Sequence, residues 1–175
     1  QALGGNIVFH AIAPLVDLKV TAGGNSQRKT GLGDMTVGIG LSTHYSQQLH
    51  SALGLDFVLP TGGYDKNNLA NIGRNYVTVQ PLYSMSWIDP NGFNGDFKLT
   101  FNFNRRNSAT DYRSGSEAFL DYSAGWGLGH GWTVGLGGYV WRQMTKDESA
   151  GVTLADSKAS AFGIGPSIKY DTGKG

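Results

Sequence analysis

Four histidines, His10, His44, His50 and His130, are the natural proton-transfer groups near neutral pH in a chain of 175 residues without cysteine. Catalysis with such a base also needs a nearby carboxylate or an activated hydroxyl. No serine nucleophile elbow accompanies these histidines. His44 and Asp34 fall at opposite ends of one strand-like run, too far apart to share a proton. The HExxH metal spacing and the EF-hand pattern are both missing, so Asp65, Lys66 and Asn67 do not read as a calcium loop. The absence of cysteine removes disulfides, thiolate metal sites and thiol nucleophiles. The expectation is a protein that is not an enzyme, with no cofactor and no metal; a dyad assembled from separate strands is the one catalytic arrangement left open.

The elements that would position polar groups are more informative. Residues 97–104 read FKLTFNFN, with Phe97, Leu99, Phe101 and Phe103 alternating with Lys98, Thr100, Asn102 and Asn104. That is the period of a two-faced β-strand. The period recurs in about eight runs, at residues 8–20, 34–45, 52–59, 75–87, 97–104, 117–128, 132–143 and 161–170. The connections alternate: 21–33, 61–73, 105–116 and 146–158 are long, polar and rich in Gly, Asn, Asp and Ser, whereas 46–49, 88–93 and 129–131 are short. Long loops on one side and tight turns on the other describe an up-and-down barrel in an outer membrane, here with its first strand running outward.

Tyr45, Trp87, Trp126, Trp132 and Tyr170 lie at the strand ends beside the short turns and share the apolar phase, which reads as an aromatic girdle at one membrane interface. Charge is nearly missing from that phase, with His10 and Arg142 the exceptions. No window approaches the ~20 apolar residues of a spanning helix, and the negative mean hydropathy suits a barrel in which only alternate residues meet lipid. The 27 glycines recur inside the strand runs, as curved sheets require. A net charge of +1 without a long basic run gives nucleic acid little to bind.

The expected fold is therefore all-β, an antiparallel up-and-down transmembrane β-barrel occupying residues 1–175 as a single domain. Outer-membrane lipid and lipopolysaccharide are its expected surroundings, and the outer membrane of a Gram-negative bacterium its location. A soluble, lipocalin-like binding barrel is the competing architecture, because alternation alone does not say which phase faces inward.

Several stretches carry a family resemblance: LPTGGYDKNNLANIGRNY at 59–76, TGLGDMTVG at 30–38, TDYRSG at 110–115, GLGGYVWRQ at 135–143 and FGIGPSIKY at 162–170. Together they resemble an outer-membrane channel family associated with the meta-cleavage pathway of phenol degradation. The resemblance implies a barrel of about twelve strands, with a strand pair before and another after these residues. It also implies passive uptake of small, largely hydrophobic or aromatic molecules. A structural or adhesive barrel with a blocked lumen is the alternative within the same architecture.

By phase, Asp17, Lys19, Asp34, His44, Asp56, Lys98, Asn102, Glu117, Asp121 and Lys169 are the expected lumen-lining residues. Both signs are present, so these groups either filter ions or neutralise one another and stiffen the wall. Tyr64, Asp65, Lys66, Asn67 and Arg74 are candidates for a constriction at the long-loop end, or for an ordinary Asn/Asp turn network. Pro14, Pro81 and Pro166 interrupt strand-like runs. Each marks either a break in the wall through which an apolar solute leaves sideways or a β-bulge.

Overall fold

The computed structural model describes residues 5–172. Residues 1–4 and 173–175 lie outside the described residues. In chain order the strands are β1 (Asn6–Ile12), β2 (Leu15–Ala22), β3 (Asn25–Leu32), β4 (Met35–His44), β5 (Leu49–Leu59), β6 (Thr78–Trp87) and β7 (Phe93–Asn104). They continue as β8 (Tyr112–Arg113), β9 (Glu117–Gly129), β10 (Trp132–Gln143), β11 (Glu148–Ser149), β12 (Val152–Thr153) and β13 (Ser160–Tyr170). No helix occurs among them.

Eight strands form one sheet in the order β1-β4-β5-β6-β7-β9-β10-β13, and every neighbouring pair is antiparallel. The remaining strands belong to the long connections. The hairpin β2–β3 extends the β1–β4 pair past one end of the sheet, and β12-β11-β8 is a small sheet joining the β7–β9 and β10–β13 loops. The sheet edges among the described residues are β1 and β13, so the fold is an open, antiparallel all-β sheet with a set of long loops gathered at one end.

The expected elements differ most over residues 8–33. The run 8–20 is not one strand, because it breaks at Ala13 and Pro14. Ile12 pairs with Thr36 and Leu15 with Leu32, so two residues on one side oppose three on the other, a bulge closed by the Gly33 amide donating to the Pro14 carbonyl (2.8 Å). The stretch 21–33, expected as loop, is strand β3 and its turn. Gly23 and Gly24 take positive φ (56° and 80°) between paired Ala22 and Asn25, the geometry a two-residue hairpin turn demands.

The burial pattern is inverted relative to a water-soluble domain. On one face of the sheet stand Ile39, Leu53, Phe103, Trp126, Leu136, Phe162 and Ile168, all exposed, with Leu53 at 60%, Ile168 at 70% and Phe162 at 77%. The opposite face holds the buried polar groups, with Thr78 at 0% and Asn102 at 5% exposure, together with Asp56 and Gln143. Apart from glycine, the buried apolar residues among those described are Val58 and Ala70. No hydrophobic core of ordinary kind therefore exists in the described part.

Candidate functional site

Cross-strand register determines which polar side chains meet. At the long-loop end, Gln80 on β6 donates to Asn102 on β7 (2.7 Å), and Asn102 donates to Glu117 on β9 (3.0 Å). One step further, Thr78 donates to Asn104 (2.8 Å), whose amide donates to the Gly115 carbonyl (3.0 Å). These bonds satisfy buried groups that an apolar environment would otherwise penalise. Among the expected lining residues, Asn102 and Glu117 are thus joined in one chain of hydrogen bonds.

Asp56 meets His10, with Nε2 to Oδ2 at 3.2 Å. His10, Gly38 and Asp56 stand in register on β1, β4 and β5, so the pair spans the intervening strand above Gly38. A Cβ on Gly38 would lie 2.1 Å from Asp56 Oδ1 and 2.5 Å from His10 Cε1, so only glycine leaves room for this contact. Asp56 Oδ1 is itself buried with no hydrogen-bond partner. His10 accordingly sits on the polar face rather than in the apolar phase, because the bulge at Pro14 frees the parity of β1 from that of β2.

Lys98 and Asp121 stand directly opposite each other on β7 and β9, yet form no ion pair among the described residues. Both are exposed on the polar face. Lys169 shares that face at the short-turn end, opposite Thr133. His44 also lies at that end, where its Nδ1 meets Nδ1 of His50 at 2.7 Å. Of the two expected uses of opposite charges, ion filtering and mutual neutralisation, the polar face of the sheet holds, among the described residues, one contact of the second kind, His10 with Asp56.

Asp17, Lys19 and Asp34 are placed differently from the sequence expectation. Asp17 and Lys19 lie on the solvent side of the β2–β3 hairpin, beyond the main sheet. Arg28 pairs with Asp17 and Thr30 donates to it (2.9 Å), which holds the Asp17 carboxyl below its usual range and the Arg28 guanidinium above its own. Asp34 sits at the base of the 60–77 loop, where it accepts from the Gly62 amide (2.9 Å) and the Arg74 amide (2.8 Å).

That loop folds down onto the hairpin. Gln27 of β3 donates to Asn68 (3.1 Å) and accepts from the Ala70 amide (2.8 Å). Asp65 Oδ1 accepts from the Asn67 amide (2.9 Å), and Asn71 brackets Asp65 from both sides. Asp65, Lys66 and Asn67 are therefore an exposed Asx turn and Tyr64 is half-buried beside it, while Arg74 is held at Asp34 and lies over the Tyr76 ring (5.5 Å).

A second clasp ties the other two long loops. Arg106 bridges Asp111 (2.8 Å) and Glu148 (3.1 Å), and Arg113 reaches Glu148 (2.5 Å). The Tyr112 hydroxyl donates to Asp147 (2.5 Å), and this bond to an anion pushes its pKa up to about 12. Asp147 also accepts from the Gly115 amide and from buried Gln143.

The expected girdle residues Tyr45, Trp87, Trp126, Trp132 and Tyr170 are all exposed on the apolar face at the short-turn end. Trp132 and Tyr170 are paired in register with ring centroids 4.6 Å apart. Of the prolines, Pro14 lies in the bulge already described. At Pro81 the β6–β7 ladder has a gap, since pairing passes from Val79↔Phe103 to Leu82↔Thr100 without a change of register. Pro166 is on the β13 edge, and the β10 ladder runs through it unbroken.

Phe119 and Trp141 escaped attention in the sequence because they fall in the polar phase of their strands. Directly opposite each other on β9 and β10, they place two rings on the polar face with centroids 6.2 Å apart. The Trp141 Nε1 donor is buried without a partner. Phase counting across 117–123 and 137–143 would have found both, since each ring alternates with apolar residues of the other face.

The fold and the site define a class: an antiparallel all-β protein whose polar side is sheltered and whose apolar side is bare. Over residues 1–175 the sequence matches the family described as "Putative MetA-pathway of phenol degradation", and the chain belongs to that family. None of the curated proteins matches it.

Proposed function

We propose that this chain forms the wall of an outer-membrane channel that admits small, largely hydrophobic or aromatic molecules by passive diffusion, without enzymatic activity. The observation that carries this reading is the inverted polarity. Each large apolar side chain left in water forgoes about 1.5–3 kcal/mol of burial, and the exposed face has enough of them to exceed the ~5–15 kcal/mol stability of a typical domain. Lipid on that face removes the penalty and accounts for the near absence of charge there. A soluble lipocalin-like barrel would carry its apolar phase inside, the opposite of the burial observed.

The open edges β1 and β13 would be completed by further strands, giving a barrel of about twelve. At that size the bore is wider than an interior filled by side chains and narrower than a general porin. The Phe119–Trp141 rings and the unpaired Lys98 and Asp121 give its wall both stacking surface and polar handles. The family's link to phenol degradation supports aromatic solutes.

The test is uptake into liposomes reconstituted with the protein, comparing phenol or benzoate with a sugar of similar size after subtracting leak through lipid. Faster protein-dependent entry of the aromatic is expected. Absence of any protein-dependent entry would reject the channel and favour the structural or adhesive barrel with a blocked lumen.

A further inference from the structure

At the long-loop end of the apolar face, beside the start of β6 and the end of β7, lies an open cleft of about 760 Å³. Val79 and Phe103 form its apolar side, and Arg105, Arg106 and Arg113 its cationic side. Arg106 and Arg113 are fixed by the clasp carboxylates Asp111 and Glu148, so the two guanidiniums are held in place before anything binds. The third, Arg105, is exposed and its side chain has no hydrogen bond or ion pair among the described residues.

Arg142 repeats the feature. It stands two strands away on β10, facing outward in register with Ala118, and is the one charged side chain on the apolar face of the eight-stranded sheet among the described residues. It is exposed and likewise without a partner. Strand spacing of about 4.8 Å puts its strand roughly 10 Å from β7, and its register through Ala118 sets it level with Phe101, four residues or roughly 13 Å along the strand from Arg105.

Two exposed guanidiniums next to an apolar surface are open to an anion, and the neighbouring carboxylates are already engaged: Asp111 and Glu148 by Arg106 and Arg113, Asp147 by Tyr112, Gln143 and the Gly115 amide. The complementary partner carries phosphate for the arginines and acyl chain for Phe103 and Val79. We propose that the Arg105 cleft, with Arg142 as a second, separate cation further down the same face, docks the phosphorylated headgroup of lipopolysaccharide in the outer leaflet. This inference rests on the outer-membrane reading, which puts the long loops on the lipopolysaccharide side.

The test uses the purified protein in nonionic detergent, with binding of bisphosphorylated lipid A followed by native mass spectrometry. Dephosphorylated lipid A, phosphatidylglycerol and inorganic phosphate are run beside it. Bisphosphorylated lipid A is expected to bind best, and R105A/R142A to weaken it about tenfold or more. R105K/R142K, which keeps the charges but loses the planar fork, is expected to lie between; R28A, on the remote hairpin, is expected to change nothing. Equal binding by R105A/R142A, equal retention of the dephosphorylated lipid or of phosphatidylglycerol, or displacement by inorganic phosphate at similar concentration would overturn the proposal. Insertion of wild-type protein and both double variants into phospholipid vesicles is scored separately. Failure of the wild type to insert rejects both readings, whereas normal insertion with no arginine dependence rejects the docking site alone.

Discussion

Gly38 leaves no room for a side chain, because His10 and Asp56 meet across the space one would fill. G38A is expected to destabilise the protein by about 1–3 kcal/mol, read as a lower unfolding temperature in detergent. G165A is the control, since nothing lies within 4 Å of a Cβ built there. In the loop clasp, Tyr112 must stay protonated to donate to Asp147. Its folded pKa, about 12, exceeds the ordinary value of 10, so the contribution is complete below pH 10 and is lost as pH rises through about 12. Y112F should remove this alkaline step and weaken the clasp by about 1 kcal/mol. Hydrogen exchange at the Gly115 amide, which donates to Asp147, reports both. Asp17 behaves with the opposite sign: its pKa is lowered by Arg28, so the pair supports the hairpin above the ordinary carboxylate range and fades as pH falls through the depressed value.

Among the elements, the β6–β7 ladder is the place where the wall is incomplete. Pro81 supplies no amide, and the pairs at Gln80 and Pro81 are missing from an otherwise constant register. P81V restores a donor at that point and is expected to slow hydrogen exchange of the flanking β7 amides; if exchange is unchanged, the gap has another cause. Whether apolar solute leaves by this route is read in the same variant, as slower aromatic uptake with unchanged sugar leak. The main strands were legible because one face is uniformly apolar, and β10 (Trp132–Gln143) coincides with the run read from alternation. The β2–β3 hairpin was not, for a physical reason. One side of β3 meets solvent through Arg28 and Thr30, while the other is covered by the polar 60–77 loop through Gln27, so its sequence has no apolar period. The run 8–20 misled in the other direction, since Val16, Leu18 and Val20 continue the alternation across a bulge that resets it. Pairings such as Asn102 with Glu117 depend on register between strands joined by a long loop, which single-strand periodicity does not encode.

For the molecule as a whole, the two sides of the sheet differ in polarity. The exposed side bears aromatic residues at its short-turn end and unpaired arginine at its long-loop end, while the sheltered side holds hydrogen-bonded polar networks. If the sheltered side lines a bore, Asp121 faces the permeating ions; D121N is then expected to shift planar-bilayer selectivity toward anions and K98Q toward cations. The four tryptophans divide between the two sides: Trp87, Trp126 and Trp132 stand on the apolar face and Trp141 on the polar one. Single-tryptophan variants reconstituted in bilayers with lipid-borne and aqueous quenchers therefore report which side of the sheet meets lipid. Lipid-borne quencher is expected to extinguish Trp87, Trp126 and Trp132 and to spare Trp141. Equal access of all four to the aqueous quencher, or lipid quenching of Trp141 in place of the others, would contradict that orientation.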